Sequence, residues 1–482
     1  PIVAVAKSLA SALSIGSGAS VGREGPIIQI GAAFGSSFAQ WLRLAAWQRI
    51  TLVGAGAGAG ITATFNTPLG GVLFAVELML PEVSSRTFLP VVLATATATY
   101  IGRFAFGIDP AFIVVPPETG PINLASGYHA LAFAGLGVLC GIASWLFVVL
   151  LTRMEHIFGK NFQNHYLRHA VGMFIVGFML LGFERVYGHY FIAGTSYGTI
   201  TELLNNNFTS LTFIVLLFAA KLVATTVSLG SGSSGGVFSP SLFLGSTLGM
   251  AFGALLVAIW PEAGFNPLHF ALVGMAGLVG GATGAALTAI IMTFEMTRDY
   301  ALIVPMVLAV ALAIGVRRSL SPENIYTVKL AWRNKRIPKA RHLNMFLVRH
   351  TSELMETRFT VLQSTTTLDE ALTHLGDETE ARYIIVSDTG EIRGVLPVGE
   401  LLRLGHGGQR DMALGEVVNR NYISLAESEE MLHDVLKRMA QNDTSYTLVM
   451  NPDIQKAQSV EQIRGVLARK HLANSLLDQF KG

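Results

Sequence analysis

Two long stretches with almost no charge limit what this chain can fold into more than any other feature. Between Phe238 and Phe294 the only charged residue is Glu262, and between Thr51 and Val76 there is none. Placing one charge at the centre of a bilayer costs roughly 2.5–3.5 kcal/mol, so segments that lie in lipid contain few charged residues. Only 14% of the 482 residues are charged, against about 25% in soluble proteins. We therefore predict a mainly α-helical integral membrane protein.

Several of the apolar segments are too short to cross a bilayer. A helix needs about 20 residues to span the hydrocarbon core, whereas the segments 49–62, 69–80 and 284–297 are clearly shorter. Segments that end at mid-depth must be buried in protein or line a polar cavity, because lipid cannot satisfy their backbone groups. Broken helices of this kind are typical of transporters and channels.

An internal repeat divides the apolar region into two halves. The sequence Ser-Ile-Gly-Ser-Gly-Ala-Ser-Val-Gly at 14–22 is echoed by Ser-Leu-Gly-Ser-Gly-Ser-Ser-Gly-Gly at 228–236. The register continues at identical residues: Pro26 and Pro240, Gly31 and Gly245, Gly35 and Gly249. Further along we match 52–54 with 272–274, and after a two-residue shift Leu69 and Glu77 with Leu287 and Glu295. Repeats with interrupted helices place the substrate site near the midplane where the halves meet.

The two repeated loops are rich in Gly and Ser, and each leads into Pro26 or Pro240 at the start of an apolar helix. Such a loop leaves backbone N–H groups unpaired and points the positive end of a helix dipole at one place. Two such helix starts would hold a dehydrated anion without a full buried cation, which would bind too tightly for release. Cation transport would require the opposite lining, so we predict an anion site.

These motifs resemble the CLC family of voltage-gated chloride channels and chloride/proton exchangers, in its prokaryotic form. The resemblance rests on Gly-Arg-Glu-Gly-Pro at 22–26 and Gly-Val-Phe-Ser-Pro at 236–240. Phe-Asn-Thr-Pro-Leu at 65–69, Glu-Met-Thr at 295–297 and Asn-Ile-Tyr at 324–326 also fit the family. The resemblance implies an inverted-repeat membrane fold over nearly all of 1–333 and a homodimer with one pore per subunit.

The resemblance also implies roles for individual residues. Glu24 would be the gating and proton-carrying glutamate, and the amides of Val237 and Phe238 would line the central anion site. Tyr326 would offer its hydroxyl to the anion from the inner side of the pathway. Arg23 would contribute to the positive electrostatic field around the anion. The implied anion-binding set is Gly22, Arg23, Gly25, Gly236, Val237, Phe238 and Tyr326. The expected substrates are chloride and similar small anions, and Pro26 favours chloride over fluoride.

The chain departs from the family pattern in two places. The first anion motif of the family, Gly-Ser-Gly-x-Pro, would precede Pro1, so we expect this chain to lack its N-terminal helices. Proton-coupled members often carry a second Glu directly after the one that matches Glu77, and this chain has Leu78 there. The choice between channel and exchanger therefore stays open.

A cluster of basic residues follows the last apolar segment, at Arg333, Lys335, Arg336, Lys339 and Arg341. Basic residues next to a membrane exit are typical of the cytoplasmic side. We predict a membrane domain at 1–333, a linker at 334–344 and a cytoplasmic tail at 345–482. We expect the protein to lie in a bacterial inner membrane.

The tail has its own repeat, because Ile-Arg-Gly-Val-Leu occurs at both 392–396 and 463–467. With preceding strands at 383–386 and 446–449 and a turn at 388–390, it resembles a tandem pair of α/β CBS modules. CBS pairs often bind adenine nucleotides, the only cofactor that this resemblance suggests. The usual phosphate and ribose ligands are replaced by Pro397 and Glu400 in one copy, and by Ala468 and His471 in the other.

Two other classes of function stay open at this point. A CBS-regulated divalent-cation channel would need several carboxylates near the midplane, and the sequence offers few. A non-transporting membrane sensor could share the fold. We interpret Glu77 and Glu295 as structural groups that pair with helix ends. The histidines show no metal-ligand spacing and no nucleophile is paired with a base, so neither a metal site nor an enzyme is predicted, and nothing indicates nucleic acid.

Overall fold

The structure is a computed structural model, and it describes residues 2–81, 83–109, 111–112, 127–208, 210–332, 350–377, 380–407, 410–418, 423–451 and 460–469. Contacts divide the chain into two compact units, Pro1–Arg341 and His342–Gly482. The predicted linker at 334–344 and the basic cluster before the tail lie outside the described residues.

The first unit is helical, as predicted. Its described helices are α1 (Ile2–Gly16), α2 (Glu24–Trp41), α3 (Ala46–Phe65), α4 (Pro68–Phe74), α5 (Ser85–Phe106), α6 (Gly127–Asn161), α7 (His165–Tyr187), α8 (Tyr197–Leu204), α9 (Leu211–Gly230), α10 (Phe238–Ile259), α11 (Pro267–Thr283), α12 (Ala286–Thr297), α13 (Ile303–Leu320) and α14 (Thr327–Trp332). A π-helical turn at Ala75–Met79 continues α4, and a 3-10 turn at Tyr300–Leu302 leads into α13.

Helices of two lengths make up this unit. Within the described residues, six are long and apolar enough to cross a membrane: Ser85–Phe106, Gly127–Asn161, His165–Tyr187, Leu211–Gly230, Phe238–Ile259 and Tyr300–Leu320. Shorter apolar helices occur at Ile2–Gly16, Pro68–Met79, Pro267–Thr283 and Ala286–Thr297. The prediction of an integral membrane protein is confirmed, as are the short helices predicted at 69–80 and 284–297. The prediction for 49–62 was wrong, because that segment belongs to α3, which has 20 residues.

Neither α8 nor the six-residue α14 belongs to an apolar segment that the sequence predicts as a helix, and α8 is the one that bears on the site. Its eight residues are half polar, and they follow a Gly-Thr-Ser stretch that is typical of a loop. Ser196 directly before it has φ of +56°, which turns the chain sharply into the helix. This short element matters because it begins with Tyr197, a residue of the site described below.

Glycines allow two equivalent helix pairs to cross in close contact. A Cβ on Gly31 would overlap the carbonyl oxygen of Gly56 and the reverse, and Gly245 and Gly274 have the same relation. Gly56 of α3 is therefore the equivalent of Gly274 in α11. The predicted match of residue 54 with residue 274 was wrong by two residues. When 56 is matched with 274, the same offset also matches Leu69 with Leu287, so the two-residue shift predicted between these matches disappears.

We predict that Gly245→Ala destabilises the membrane unit by about 1–3 kcal/mol, because the new methyl group must push the backbone of α11 away. Gly182→Ala in α7 is the matched control, since nothing lies within 4 Å of its added Cβ. That control should be neutral or stabilising by up to about 1 kcal/mol. Thermal unfolding in detergent measures both, and equal midpoints would contradict the tight crossing.

The second unit contains two copies of one small α/β motif. The first has β1 (Phe359–Gln363), α15 (Leu368–Asp377), β2 (Tyr383–Asp388), β3 (Glu391–Pro397) and α16 (Val398–His406); α17 (Leu414–Val417) follows, and the second has β4 (Ile423–Glu427), α18 (Leu432–Gln441), β5 (Tyr446–Met450) and β6 (Ile463–Ala468). In each sheet the first strand is parallel to the second, and the second is antiparallel to the third. The predicted strands and the turn, with Gly390 at φ of +93°, are confirmed. His471 lies outside the described residues.

Candidate functional site

The two repeated glycine loops pair with each other. The Gly22 N–H donates to the Gly236 carbonyl at 2.8 Å, and the Gly236 N–H donates to the Gly22 carbonyl at 2.7 Å. These residues occupy the same position in the two halves, so a reciprocal pair places a local two-fold axis between them. The predicted meeting of the halves at the loops is therefore present in the structure.

Two helix N-termini begin beside this pair of glycines. α2 starts at Glu24 and α10 at Phe238, two residues after Gly22 and Gly236 respectively. Neither the Val237 nor the Phe238 N–H donates to another group of the described chain. Unpaired N–H groups at a helix start carry the positive end of the helix dipole, so this end of α10 favours an anion.

The Glu24 side chain occupies that place. It is fully buried, and its Oε2 accepts a hydrogen bond from the Ser239 N–H in the first turn of α10 at 3.2 Å. Its Oε1 accepts a hydrogen bond from the Tyr197 hydroxyl. In the described part of the chain it has no ion-pair partner. A carboxylate of one repeat therefore sits at the helix start of the other.

Tyr197 is a site residue that the sequence did not reveal. Its ring packs edge-on against Phe65 and Phe112, with centroids 6.1 and 5.7 Å away. The exposed guanidinium of Arg23 lies 5.2 Å from the centre of the same ring. Arg23 thus lies at the site as predicted, but it contacts an aromatic face rather than the carboxylate of Glu24. The repeat could not point to Tyr197, because its equivalent position would precede Pro1.

A second residue that the sequence analysis missed is Lys221 in α9, which is fully buried. It supports the segment before Tyr197 through hydrogen bonds to Gly194 and Ser196. A signal for it existed, since the register that aligns Gly22 with Gly236 also aligns Lys7 with Lys221.

The segment that carries Tyr326 is fixed to the end of α11. The Asn324 side-chain amide donates to the Thr283 carbonyl at 2.8 Å, and the Ile325 N–H donates to the Ala282 carbonyl at 3.0 Å. Arg317 donates to the Gly281 carbonyl at 3.0 Å. The Tyr326 side chain itself is 36% exposed. Its role at an anion site stays a prediction.

Glu77 and Glu295 form a reciprocal pair of helix contacts. Glu77 accepts hydrogen bonds from the N–H groups of Leu287 and Thr288 at 3.1 and 2.7 Å, and from the Thr288 hydroxyl at 2.7 Å. Glu295 accepts them from the N–H groups of Leu69 and Gly70 at 3.1 and 2.7 Å. Each glutamate binds the start of the equivalent helix in the other half, so the structural interpretation is confirmed.

A metal is not suggested by the described side chains. No group of three His, Cys, Asp or Glu residues among them is placed to hold an ion. Leu78, beside Glu77, is half-buried and packs against the main apolar core. The described part of the chain thus offers the cation-channel alternative no ring of carboxylates.

The chain matches the family described as voltage gated chloride channel over residues 1–318, and a CBS domain over residues 352–407. It is 33% identical to a ClcB-like chloride channel protein of Ralstonia nicotianae, over 69% of this chain and 77% of the relative. It is 31% identical to the H(+)/Cl(-) exchange transporter ClcA of Vibrio cholerae, over 65% of this chain and 66% of the relative.

Among solved structures, a slow cyanobacterial Cl-/H+ antiporter matches with a TM-score of 0.61 and 27% identity, over 69% of this chain and 76% of that one. The family match covers most of the chain and includes both glycine loops, Glu24 and the reciprocal glutamates. The chain therefore belongs to the CLC family of voltage-gated chloride channels and chloride/proton exchangers.

Proposed function

We propose that this protein carries chloride across a membrane between its two repeats, and that Glu24 is the gate. The observation that supports this most strongly is the Glu24 carboxylate at the start of α10, held by the Ser239 N–H. A site that binds one buried anion through a backbone amide and a helix dipole suits another anion of the same charge. Chloride and the carboxylate would compete for it.

Protonation of Glu24 would end this competition between the carboxylate and chloride. A neutral Glu24 gains little from the helix dipole, so the side chain leaves and chloride enters. The carboxyl group then carries a proton while the anion occupies its place. This alternation couples the two ions, and we propose chloride/proton exchange on that basis. The Vibrio relative and the cyanobacterial structure are named as such exchangers.

The second candidate is a channel that moves chloride without protons. One observation favours it: Leu78 is not ionisable and packs half-buried against the core, so it provides no inner proton step next to Glu77. Both candidates describe a transporter rather than an enzyme. The channel differs from the exchanger only in whether protons move with chloride.

Chloride efflux from liposomes that contain the protein, with the external pH recorded, tests this proposal. An exchanger releases chloride while protons enter against their gradient, and a channel releases chloride with no proton movement. Empty liposomes are the control. If no anion leaves, the transport function fails and the non-transporting sensor becomes the better explanation.

We also propose the wider arrangement that family membership suggests, a homodimer in lipid with the tail in the cytoplasm. The relatives from Ralstonia and Vibrio are bacterial, so the bacterial inner membrane is the proposed location. The basic cluster at 333–341 supports a cytoplasmic tail. Crosslinking in membranes and protease access from each side would test the two statements separately.

For the tail we propose a regulatory pair without a tight adenine-nucleotide site. Pro397 and Glu400 lie where β3 meets α16, and neither offers the hydroxyl or the favourable charge that phosphate binding needs. We expect 1 mM ATP to shift the unfolding midpoint of the tail by less than about 1 °C. Binding with a Kd of about 10 μM would instead stabilise the tail by about 2.7 kcal/mol and raise its unfolding midpoint by several degrees.

A further inference from the structure

The buried Lys221 uses every donor that it has. Its ammonium donates to the carbonyls of Ile192 and Gly194 at 3.2 and 2.9 Å, and to the Ser196 Oγ at 2.8 Å. An ammonium has three donors, so the set is complete. From α10, the ring of Phe243 lies 5.3 Å from the charge. Lys221 forms no ion pair with any carboxylate of the described residues.

A buried charge without an ion-pair partner in contact lowers stability, and an apolar residue of similar size would avoid that cost. An apolar residue could not donate hydrogen bonds to the segment 192–196. All three hydrogen bonds of Lys221 end on that segment, so Lys221 fixes its backbone directly.

The segment 192–196 ends at the residue that contacts Glu24. Ser196 accepts from Lys221 and donates to the Ala193 carbonyl at 2.9 Å, so its side chain is fixed on both sides. Tyr197 follows directly as the first residue of α8. The Thr199 hydroxyl donates to the Phe191 carbonyl at 2.7 Å and fixes the same turn from the other end. The Tyr197 hydroxyl is thereby presented to Glu24 from a rigid support.

We propose that Lys221, Ser196 and Tyr197 form a latch that holds the Glu24 carboxylate in its closed position. The latch rests on the proposed role of Glu24 as the gate. To open, Glu24 must break its bonds to the Ser239 N–H and to the Tyr197 hydroxyl. Chloride takes over only the contact with the helix start. The latch therefore sets how readily chloride displaces the carboxylate, and Lys221 and Tyr197 are positioning residues.

Tyr197→Phe tests the latch because it removes only the hydroxyl and keeps the ring that packs on Phe65 and Phe112. We expect chloride efflux to rise about ten- to hundredfold and the Kd for chloride, measured by calorimetry, to fall by a similar factor, as expected for one hydrogen bond to a charged group. In a Glu24→Ala background the same substitution should change neither value. Tyr166→Phe, on a tyrosine that is 88% exposed, is the matched control.

Lys221→Met and Ser196→Ala extend the test to the support. Both should raise efflux when Glu24 is present and have no effect when it is absent, with Ser196→Ala the weaker of the two. If Lys221→Met does not fold, Ser196→Ala carries this part of the test. A general loss of structure would lower efflux in both backgrounds, so it is distinguished from release of the gate.

The latch is overturned if Tyr197→Phe has equal effects with and without Glu24. It is also overturned if the wild type transports chloride and Tyr197→Phe alone leaves efflux and Kd at the wild-type values. A wild type that neither binds nor transports chloride overturns the proposed function instead. In that case infrared difference spectra of wild type minus Glu24→Ala still read the latch. The carboxylate band should shift in Tyr197→Phe, and an unshifted band overturns the latch.

Discussion

Replacing Glu24 by alanine should abolish proton movement and leave chloride movement in place. The methyl group has no proton to carry and cannot occupy the start of α10, so chloride enters without a competitor. Chloride efflux should lose its dependence on pH, and its rate at neutral pH should equal or exceed that of the wild type. Liposome efflux with the external pH recorded measures both ions in one preparation.

Glu262→Ala is the matched control for this prediction. Glu262 is also a glutamate of the membrane unit, but it is exposed in a short turn after α10. It should leave the rates and the coupling of both ions unchanged. If Glu24→Ala keeps wild-type proton coupling, Glu24 is not the proton-carrying group. If Glu24→Ala stops chloride in a folded protein, the side chain supports the pathway rather than closing it.

The sequence predicted the parts of the site that the repeat contains twice. Gly22 and Gly236 stand in equivalent loops, and their pairing follows from two copies that meet at an axis. Glu24 was identified through the family resemblance of Gly-Arg-Glu-Gly-Pro at 22–26 and not through the repeat, whose equivalent position holds the apolar Phe238. Tyr197 has no second copy in the chain, and the eight residues of α8 are too few for a helical period to be recognised. A contact between residues so far apart in sequence could not be predicted from either one alone.

The error in the repeat register has a physical origin. The match of 52–54 with 272–274 rested on three identical small or aliphatic residues, which recur often in membrane helices. What fixes the register is the close crossing, where Gly31 must face a glycine and does so at Gly56. Backbone approach at a crossing depends on which helix face packs, and a count of identical residues does not report that.

The other large effect concerns stability, and it should appear when Glu77 or Glu295 is replaced by alanine. Each substitution frees N–H groups at the start of α12 or α4 and removes a negative charge from a helix N-terminus. We expect a loss of about 2–4 kcal/mol in the free energy of unfolding, from hydrogen bonds to a charged group and from the helix dipole. Thermal unfolding in detergent measures it.

The two replacements should differ, because Glu77 accepts three hydrogen bonds and Glu295 accepts two. The extra bond comes from the Thr288 hydroxyl. Thr288→Val removes that bond, and in this background the cost of Glu77→Ala should fall to that of Glu295→Ala. Glu184→Ala is the control, since among the described residues Glu184 pairs only with the exposed Arg185 at 3.8 Å and such surface pairs contribute little.

Transport measured on the same variants separates structure from chemistry. Glu77→Gln keeps one acceptor oxygen at the start of α12, so it should lose less stability than Glu77→Ala. If Glu77 only joins the two halves, both variants should retain proton coupling at temperatures where they are folded. A Glu77→Gln protein of near wild-type stability that has lost proton flow would instead make Glu77 a proton carrier. Proton transfer would then pass beside Leu78 without an acid at that position.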